Sequence, residues 1–390
     1  MNITELKNLY LKELNESVMP FWLKNGIDYE NGGYYTCLDR RGEIYNTEKS
    51  VWFQGRMLYI LSKLLNTYGK NEEIERAANC GFEFIKKCIL PSGRMPFLVT
   101  EDARPITVRR YYFSETFAAI SLMEYYGYTK NTEALRISRE IYQLILKLYR
   151  GEIKTEPKMN PEVIKAKSFA VPMILLNVAG ILRSHDTENA ERYTKDIDVY
   201  LREIDDCIHP ECKCCFENVA PDGSRLEGPR GRLVNPGHSI EGAWFMMNEA
   251  EYRNDASLMK KAIDLLEWSF ELGWDKAKGG IQYFYDIEGR PLEQLEWDMR
   301  LWWPHCEALI GMIKAYRITG EKRYLEKFNM VHDYTFSHFR DEEFGEWFGY
   351  LRADGSVNNE LKGSIFKGPF HIPRCLVEVA EELEKIEAKA

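Results

Sequence analysis

The chain has 390 residues, enough for a large core, and its net charge of −9, from 61 acidic against 52 basic residues, comes with no Lys/Arg-rich block. That balance argues against nucleic acid or an anionic membrane surface as the main partner and favours a neutral small molecule. Nine cysteines scattered without a repeating spacing, an opening "MNITELKNLYLKELNES" without a signal-peptide layout, and no stretch of membrane-spanning length predict a reduced, soluble, cytoplasmic protein.

Read for 3.6-residue periodicity, the chain predicts helices near 4–22, 51–68, 72–89, 112–127, 132–149, 166–184, 190–207, 238–253, 256–272, 305–319, 322–338 and 373–388. Their connections alternate. "GKN", "TK", "HDTEN", "ND" and "GE" are short links between antiparallel neighbours, and the others are far longer. The long ones resemble one another: "GGYYTCLDRRGEIY", "CCFENVAPDGSRL", "GGIQYFYDIEGRPL" and "GEWFGYLRADGSVN" carry aromatics and then a Gly turn, with "PSGRMPFLVTEDARP" and "RGEIKTEP" as weaker copies. Each reads as a short β-hairpin, and together they recur with a period of about 60 residues.

Six helical hairpins closing on themselves form an all-α (α/α)6 barrel, expected here as one catalytic domain over 1–390, with the β-hairpins in the long loops at one end. Helices after long loops, such as "VWFQGRMLYILSKLL" and "SFAVPMILLNVAGIL", are apolar all round and form the inner ring; those with a charged face, such as "EALRISREIYQLILKLY", form the outer one. Inner helices then all start at the same end, aiming positive dipole ends at a common cleft.

Polar residues gather at those starts: Gln54 and Arg56, Ser114 and Glu115, Lys165 and Lys167, His238 and Glu241, His305 and Glu307, His371 and Arg374. Taken singly, each has an ordinary structural reading. A histidine beside proline in an apolar context is usually a hydrogen-bonded core residue, Arg56 can pair with Glu307, and Glu241 at i+3 from His238 matches a capping glutamate. Taken together, histidines, carboxylates and an arginine at one rim suit acid/base work near neutral pH. The segment "CIHPECKCC", with Cys207, His209, Cys212, Cys214 and Cys215, fits no regular zinc spacing and reads as a cysteine-rich turn, so no metal is expected. Gly-x-Ser-x-Gly, Walker A and strand-linked Gly-x-Gly-x-x-Gly motifs are all missing, which leaves the chemistry to side chains.

The stretches "VWFQGR" (51–56), "NVAPDG" with "GRLVNPGHSIEGAWF" (218–245), "RLWWPHCEAL" (300–309) and "GEWFGYLRADG" with "FKGPFHIPRCL" (345–376) are similar to motifs of the N-acylglucosamine 2-epimerase family. The resemblance implies an (α/α)6 barrel that interconverts N-acetylglucosamine and N-acetylmannosamine without a required cofactor, with ATP as an activator that is not consumed. It also implies that Arg56, His238, Glu307 and His371 are essential. On this reading the sugar ring opens, one histidine takes the C2 proton, the other returns one to the opposite face, and Arg56 stabilises the enolate oxygen. Glu307 would fix the tautomer of one histidine, and Glu241 would do the same for His238. Gln54, Glu115, Glu241, Trp302, Trp303 and His305, at the starts of inner helices on the same rim, are the residues expected to bind the sugar. Lys362 and Lys367 are assigned to the nucleotide, although Ser364 and Ile365 depart from the glycine-rich pattern there.

Cellobiose 2-epimerases and aldose-ketose isomerases acting on mannose or glucose share this barrel and are the alternatives closest in chemistry. An (α/α)6 glycoside hydrolase, which needs two carboxylates across the bond, and a non-catalytic protein-binding role are alternatives of other classes. The partner expected is a small-molecule sugar, and the wide outer faces of such a barrel predict a homodimer.

Overall fold

All twelve helical segments are present, at shifted boundaries, in a computed structural model that describes residues 2–109, 111–156, 160 and 162–389. The first comes in three pieces: α1 (Ile3–Lys12), a π-helical stretch Glu13–Val18, and α2 (Met19–Asn25). There follow α3 (Val51–Tyr68), α4 (Glu72–Lys87), α5 (Phe113–Thr129), α6 (Thr132–Tyr149), α7 (Ala170–His185), α8 (Ala190–Asp205), α9 (Pro236–Arg253), α10 (Ala256–Gly273), α11 (Trp302–Thr319), α12 (Lys322–His338) and α13 (His371–Glu387). Consecutive odd-numbered helices from α3 to α13 pack side by side as the inner ring; α3 to α11 are each backed by the even-numbered helix that follows, and α13 is backed by α1. The ring closes where Lys63 of α3 meets Glu378 of α13 at 3.1 Å.

Inner and outer helices begin differently. Three outer helices carry an Asx cap, Asn71, Asn131 and Asp255 each accepting two backbone N–H bonds at the starts of α4, α6 and α10, whereas α8 and α12 have no side-chain cap. Inner helices α3, α5, α7, α11 and α13 have no side-chain cap, so their first N–H groups open toward the rim. In α9, Asn235 Oδ1 accepts from the backbone N–H of His238 at 3.1 Å.

Prolines account for three shifts of boundary toward the N-terminus. Expected starts at 305 and 373 become Trp302 and His371, and the expected start at 238 becomes Pro236, because Pro304, Pro373 and Pro236 lie inside the first turn. There the missing N–H had no intrahelical partner to lose. The opposite shift occurs at α7, where Lys167 and Ser168 stay extended in a strand.

The long loops are stitched to one another as well as folded on themselves. Strands leading into inner helices pair antiparallel with the next loop: β1 (Lys49–Ser50) with β2 (Leu98–Val99), β4 (Lys167–Ser168) with β7 (Asn218–Val219), β8 (Leu233–Val234) with β9 (Tyr285–Asp286), and β10 (Arg300–Leu301) with β11 (Tyr350–Leu351). Hairpins within one loop are β2 with β3 (Pro105–Thr107), β5 (Ile208–His209) with β6 (Cys214–Cys215), and β11 with β12 (Val357–Asn359). The expectation of one hairpin per loop therefore holds in part. A two-stranded ribbon is marginal alone, and loops gathered at one rim offer each other's edges a partner. The first loop has only the bridges Ile27 to Tyr34 and Leu38 to Ile44. "RGEIKTEP" has no strand over 150–156, and Pro157 lies outside the described residues. Among the described residues no helix is long and apolar enough to cross a membrane.

Candidate active site

The rim encloses a cavity of about 770 Å³, lined by Arg56 of α3, His238 and Glu241 of α9, Trp302 and Trp303 of α11, and His371 of α13 among others. Both histidines lean on Trp303, with ring centroids at 5.2 Å for His238 and 5.8 Å for His371. Each turns Nδ1 to a carboxylate: His371 to Glu307 at 2.7 Å, and His238 to Glu217 at 3.0 Å. A carboxylate accepts only, so Nδ1 carries the hydrogen in both rings and Nε2 is left for proton transfer.

Glu307 is fully buried and fully used. Its Oε1 accepts from His371 and from Arg374 Nη2 at 2.6 Å, and its Oε2 accepts from Trp244 Nε1 at 2.8 Å. Three converging donors define an ionised acceptor. Burial pushes the Glu307 carboxyl up, and Arg374 with Trp244 draws it back. Arg374 Nη2 also donates to Glu241 at 2.7 Å, which leaves Glu241 serving the arginine and not His238. Glu241, Glu307 and His371 hold ligand atoms within 4.8 Å of one another. The cation at that cluster is Arg374, whose Nη2 lies 3.3 Å from His371 Nδ1 as well as against both carboxylates.

These surroundings drive the two histidines apart. Burial lowers the His371 pKa well below 6.5, Arg374 and Arg56 lower it further, and Glu241 opposes them. Burial also acts to lower His238, but the charge and hydrogen bond of Glu217, with Glu241 behind, outweigh it and raise the pKa above 6.5. The surroundings therefore bias His371 toward the free base and His238 toward the protonated form.

Arg56 pairs with no carboxylate among the described residues. Its guanidinium lies over Phe117 at 4.0 Å and Phe370 at 4.9 Å, with Phe53 at 5.0 Å. Burial lowers its pKa to about 9, so it is charged at neutral pH, and its Nε is buried without a hydrogen-bond partner. A desolvated, unpaired cation facing a cavity is a prepared site for a developing negative charge.

The other residues expected at the rim divide. Trp302 and Trp303 line the cavity, and the buried Trp302 Nε1 has no partner. Gln54, Glu115 and His305, expected to bind sugar, are built into the loops instead. Gln54 exchanges two 2.8 Å hydrogen bonds with the backbone of Tyr34, and Glu115 takes Arg94 Nε at 2.5 Å and Met95 N at 3.0 Å. His305 accepts from Ile281 N at 2.9 Å and donates to Leu301 O at 2.7 Å, and burial lowers its pKa to about 3. Ser114 donates to Pro96 O, Lys167 pairs with Asp206, and Lys165 lies off the cavity wall.

Lys362 and Lys367, expected to hold a nucleotide, have buried ammonium groups occupied internally. Lys362 reaches Asp341 at 2.9 Å and Gly345 O at 2.7 Å. Lys367 reaches Glu346 at 2.7 Å, Trp347 O at 2.9 Å and Lys362 O at 2.6 Å. Neither has a donor to spare for a triphosphate, so these residues do not fit ATP. In the cysteine-rich segment, both ring nitrogens of His209 are hydrogen-bonded, to Glu211 and to Gly223 O.

Two partners escaped sequence reasoning. Glu217 lies in the loop between β6 and β7, 21 residues before His238 and beyond any helical periodicity. Arg374 was visible at i+3 from His371, a spacing that puts both on one helix face, but carried no assigned role.

The profile of the N-acylglucosamine 2-epimerase (GlcNAc 2-epimerase) family matches residues 33–374. N-acylglucosamine 2-epimerase of Bos taurus is 38% identical over 388 residues, covering 97% of this chain and 92% of its own. The Rattus norvegicus protein of the same name is 37% identical over 369 residues, covering 93% and 88%. Among solved structures, cellobiose 2-epimerase from Bacillus thermoamylovorans B4167 superposes with a TM-score of 0.84 at 22% identity, covering 97% of this chain and 99% of its own, a likeness of fold.

Proposed function

The chain belongs to the N-acylglucosamine 2-epimerase family, and from that premise we propose that it interconverts N-acetyl-D-glucosamine and N-acetyl-D-mannosamine in the cavity shared by His238 and His371. The observation that carries the reading is the pair itself: two imidazoles against one tryptophan, each oriented by a carboxylate, with pKa values displaced in opposite directions.

Inversion at C2 begins once the sugar ring has opened, because the C1 aldehyde acidifies the C2 proton and delocalises the electron pair as an enolate. Neutral His371 takes the C2 proton on Nε2, the C1 oxygen becomes anionic against Arg56, and protonated His238 delivers its Nε2 proton to the opposite face of C2. The proton ends on His371, and exchange with solvent restores the starting state. The reverse reaction begins from the other tautomer of the same singly protonated pair, so both directions share one pH dependence. No cofactor enters these steps.

An inverting glycosidase would need two carboxyl groups free to act across the cleft. Glu217, Glu241 and Glu307 are instead bonded to a histidine or an arginine. The reading extends to a cytoplasmic homodimer, supported by nine free cysteines and by the outward faces of the outer helices, and tested by light scattering on the purified chain. The activity is tested by incubating the protein with N-acetylglucosamine in D2O and following the C2 proton by NMR. Deuterium at C2 with formation of N-acetylmannosamine is expected; turnover of free mannose or cellobiose with none of N-acetylglucosamine would overturn the assignment.

A further inference from the structure

The cavity is chemically two-sided. Its helix-borne ionisable groups come from α3, α9 and α13, and Tyr283, Glu296, Tyr350 and Lys367 join them from the loops, whereas the wall from α5 and α7 is apolar: Phe117 and Ile120 on one, Met173, Ile174 and Val178 on the other. Asn177 is the exception on that wall. With Phe245 and Arg374 it lines both this cavity and a second one of about 370 Å³ on the far side, which places it on the floor at the level of Arg374. Its carboxamide has no hydrogen-bond partner among the described residues. In a ring whose neighbours run α3, α5, α7, α9, α11, α13, helix α7 lies three steps from α13 and so faces His371 and Arg374 across the barrel.

An open-chain 2-acetamido sugar puts particular demands on this space. As C2 becomes trigonal its substituents lie in one plane, and the two faces of that plane belong to the histidines. The C1 oxygen is directed to Arg56, and the hydroxyl-bearing tail suits the polar mouth, which leaves the α5/α7 wall for the group on C2. An amide buried there without partners would be costly, whereas a carboxamide offers it both a donor and an acceptor. We infer that Asn177 and the apolar residues around it seat the N-acyl group, the Asn177 carboxamide hydrogen-bonding the substrate amide while Met173, Ile174 and Val178 enclose its methyl. This rests on the epimerase reading of the same cavity.

The test compares inhibition constants of two open-chain polyols, N-acetylglucosaminitol and glucitol, on the intact protein and on Asn177→Leu. The ratio of the two constants does not depend on the fraction folded, and Asn177→Ala carries the same comparison if the leucine variant is lost. The parent protein should prefer the acetamido polyol by about 10- to 100-fold, and the variants should lose most of that preference. The KM for N-acetylglucosamine should rise in parallel. An undiminished preference in the variants would overturn the inference, as would a parent protein that exchanges the C2 proton of N-acetylglucosamine yet prefers neither polyol. A parent protein without that exchange would instead count against the epimerase reading.

Discussion

His238 and His371 face one cavity, lean on the same tryptophan and each give Nδ1 to a carboxylate, yet their pKa values are displaced in opposite directions. The difference lies one residue further out. Glu217 has only His238 as a side-chain partner among the described residues, so its negative charge acts on the imidazole undiluted. Glu307 is shared with Arg374 and Trp244, and the arginine cancels for His371 what Glu217 supplies to His238. A carboxylate behind a histidine therefore does not make it an acid; the charge behind the carboxylate decides.

The comparison can be broken most completely at the histidines themselves. His238→Asn or His371→Asn should each lower epimerisation by about 10²–10⁴-fold or more, measured as kcat/KM for both epimers, with the fold retained by circular dichroism. Arg374→Met should remove the cation that keeps His371 neutral. Its pKa then rises, so the acid limb of the kcat/KM profile, expected below 6.5, moves upward. That variant should also lose about 3–5 kcal/mol of stability in denaturant titration, since Glu241 and Glu307 are left buried without their counter-ion.

Glu217→Gln acts on the other side. The pKa of His238 falls, the alkaline limb, expected above 6.5, moves downward, and kcat/KM near neutrality drops by about 10- to 100-fold. The smallest effect on activity is expected at Lys362→Met, where the ion pair with Asp341 is lost behind the cavity wall, Lys362 itself not lining the cavity. The folded variant should keep its kcat while its unfolding midpoint falls, with a stability loss of about 3 kcal/mol.

Much of the ring was legible in the chain because inner and outer helices differ in hydrophobic periodicity and in preceding loop length. Arg56, His238, Glu241, Trp302, Trp303 and His371 converge on one cavity as their placement at inner-helix starts implied, with Glu307 bonded just behind His371. Gln54, Glu115 and His305 share those starts yet tie down loop backbone. Position along a chain reports which end of a helix a residue occupies, but a first turn covers every direction around the axis, and only one faces the cleft. Lys362 and Lys367 misled for a related reason: lysine beside glycine resembles a phosphate cradle until buried Asp341 and Glu346 are seen to take the charges. Glu217 was out of reach because a contact between an irregular loop and the helix that follows it leaves no spacing to read.

The most direct test of the paired histidines is to follow loss of the C2 proton of each epimer separately in D2O with His238→Asn and His371→Asn. Two opposed bases predict that each variant still exchanges the C2 proton of one epimer, a different one in each case, while neither converts one sugar into the other. Interconversion surviving in either variant, or exchange of the same epimer by both, would contradict the account.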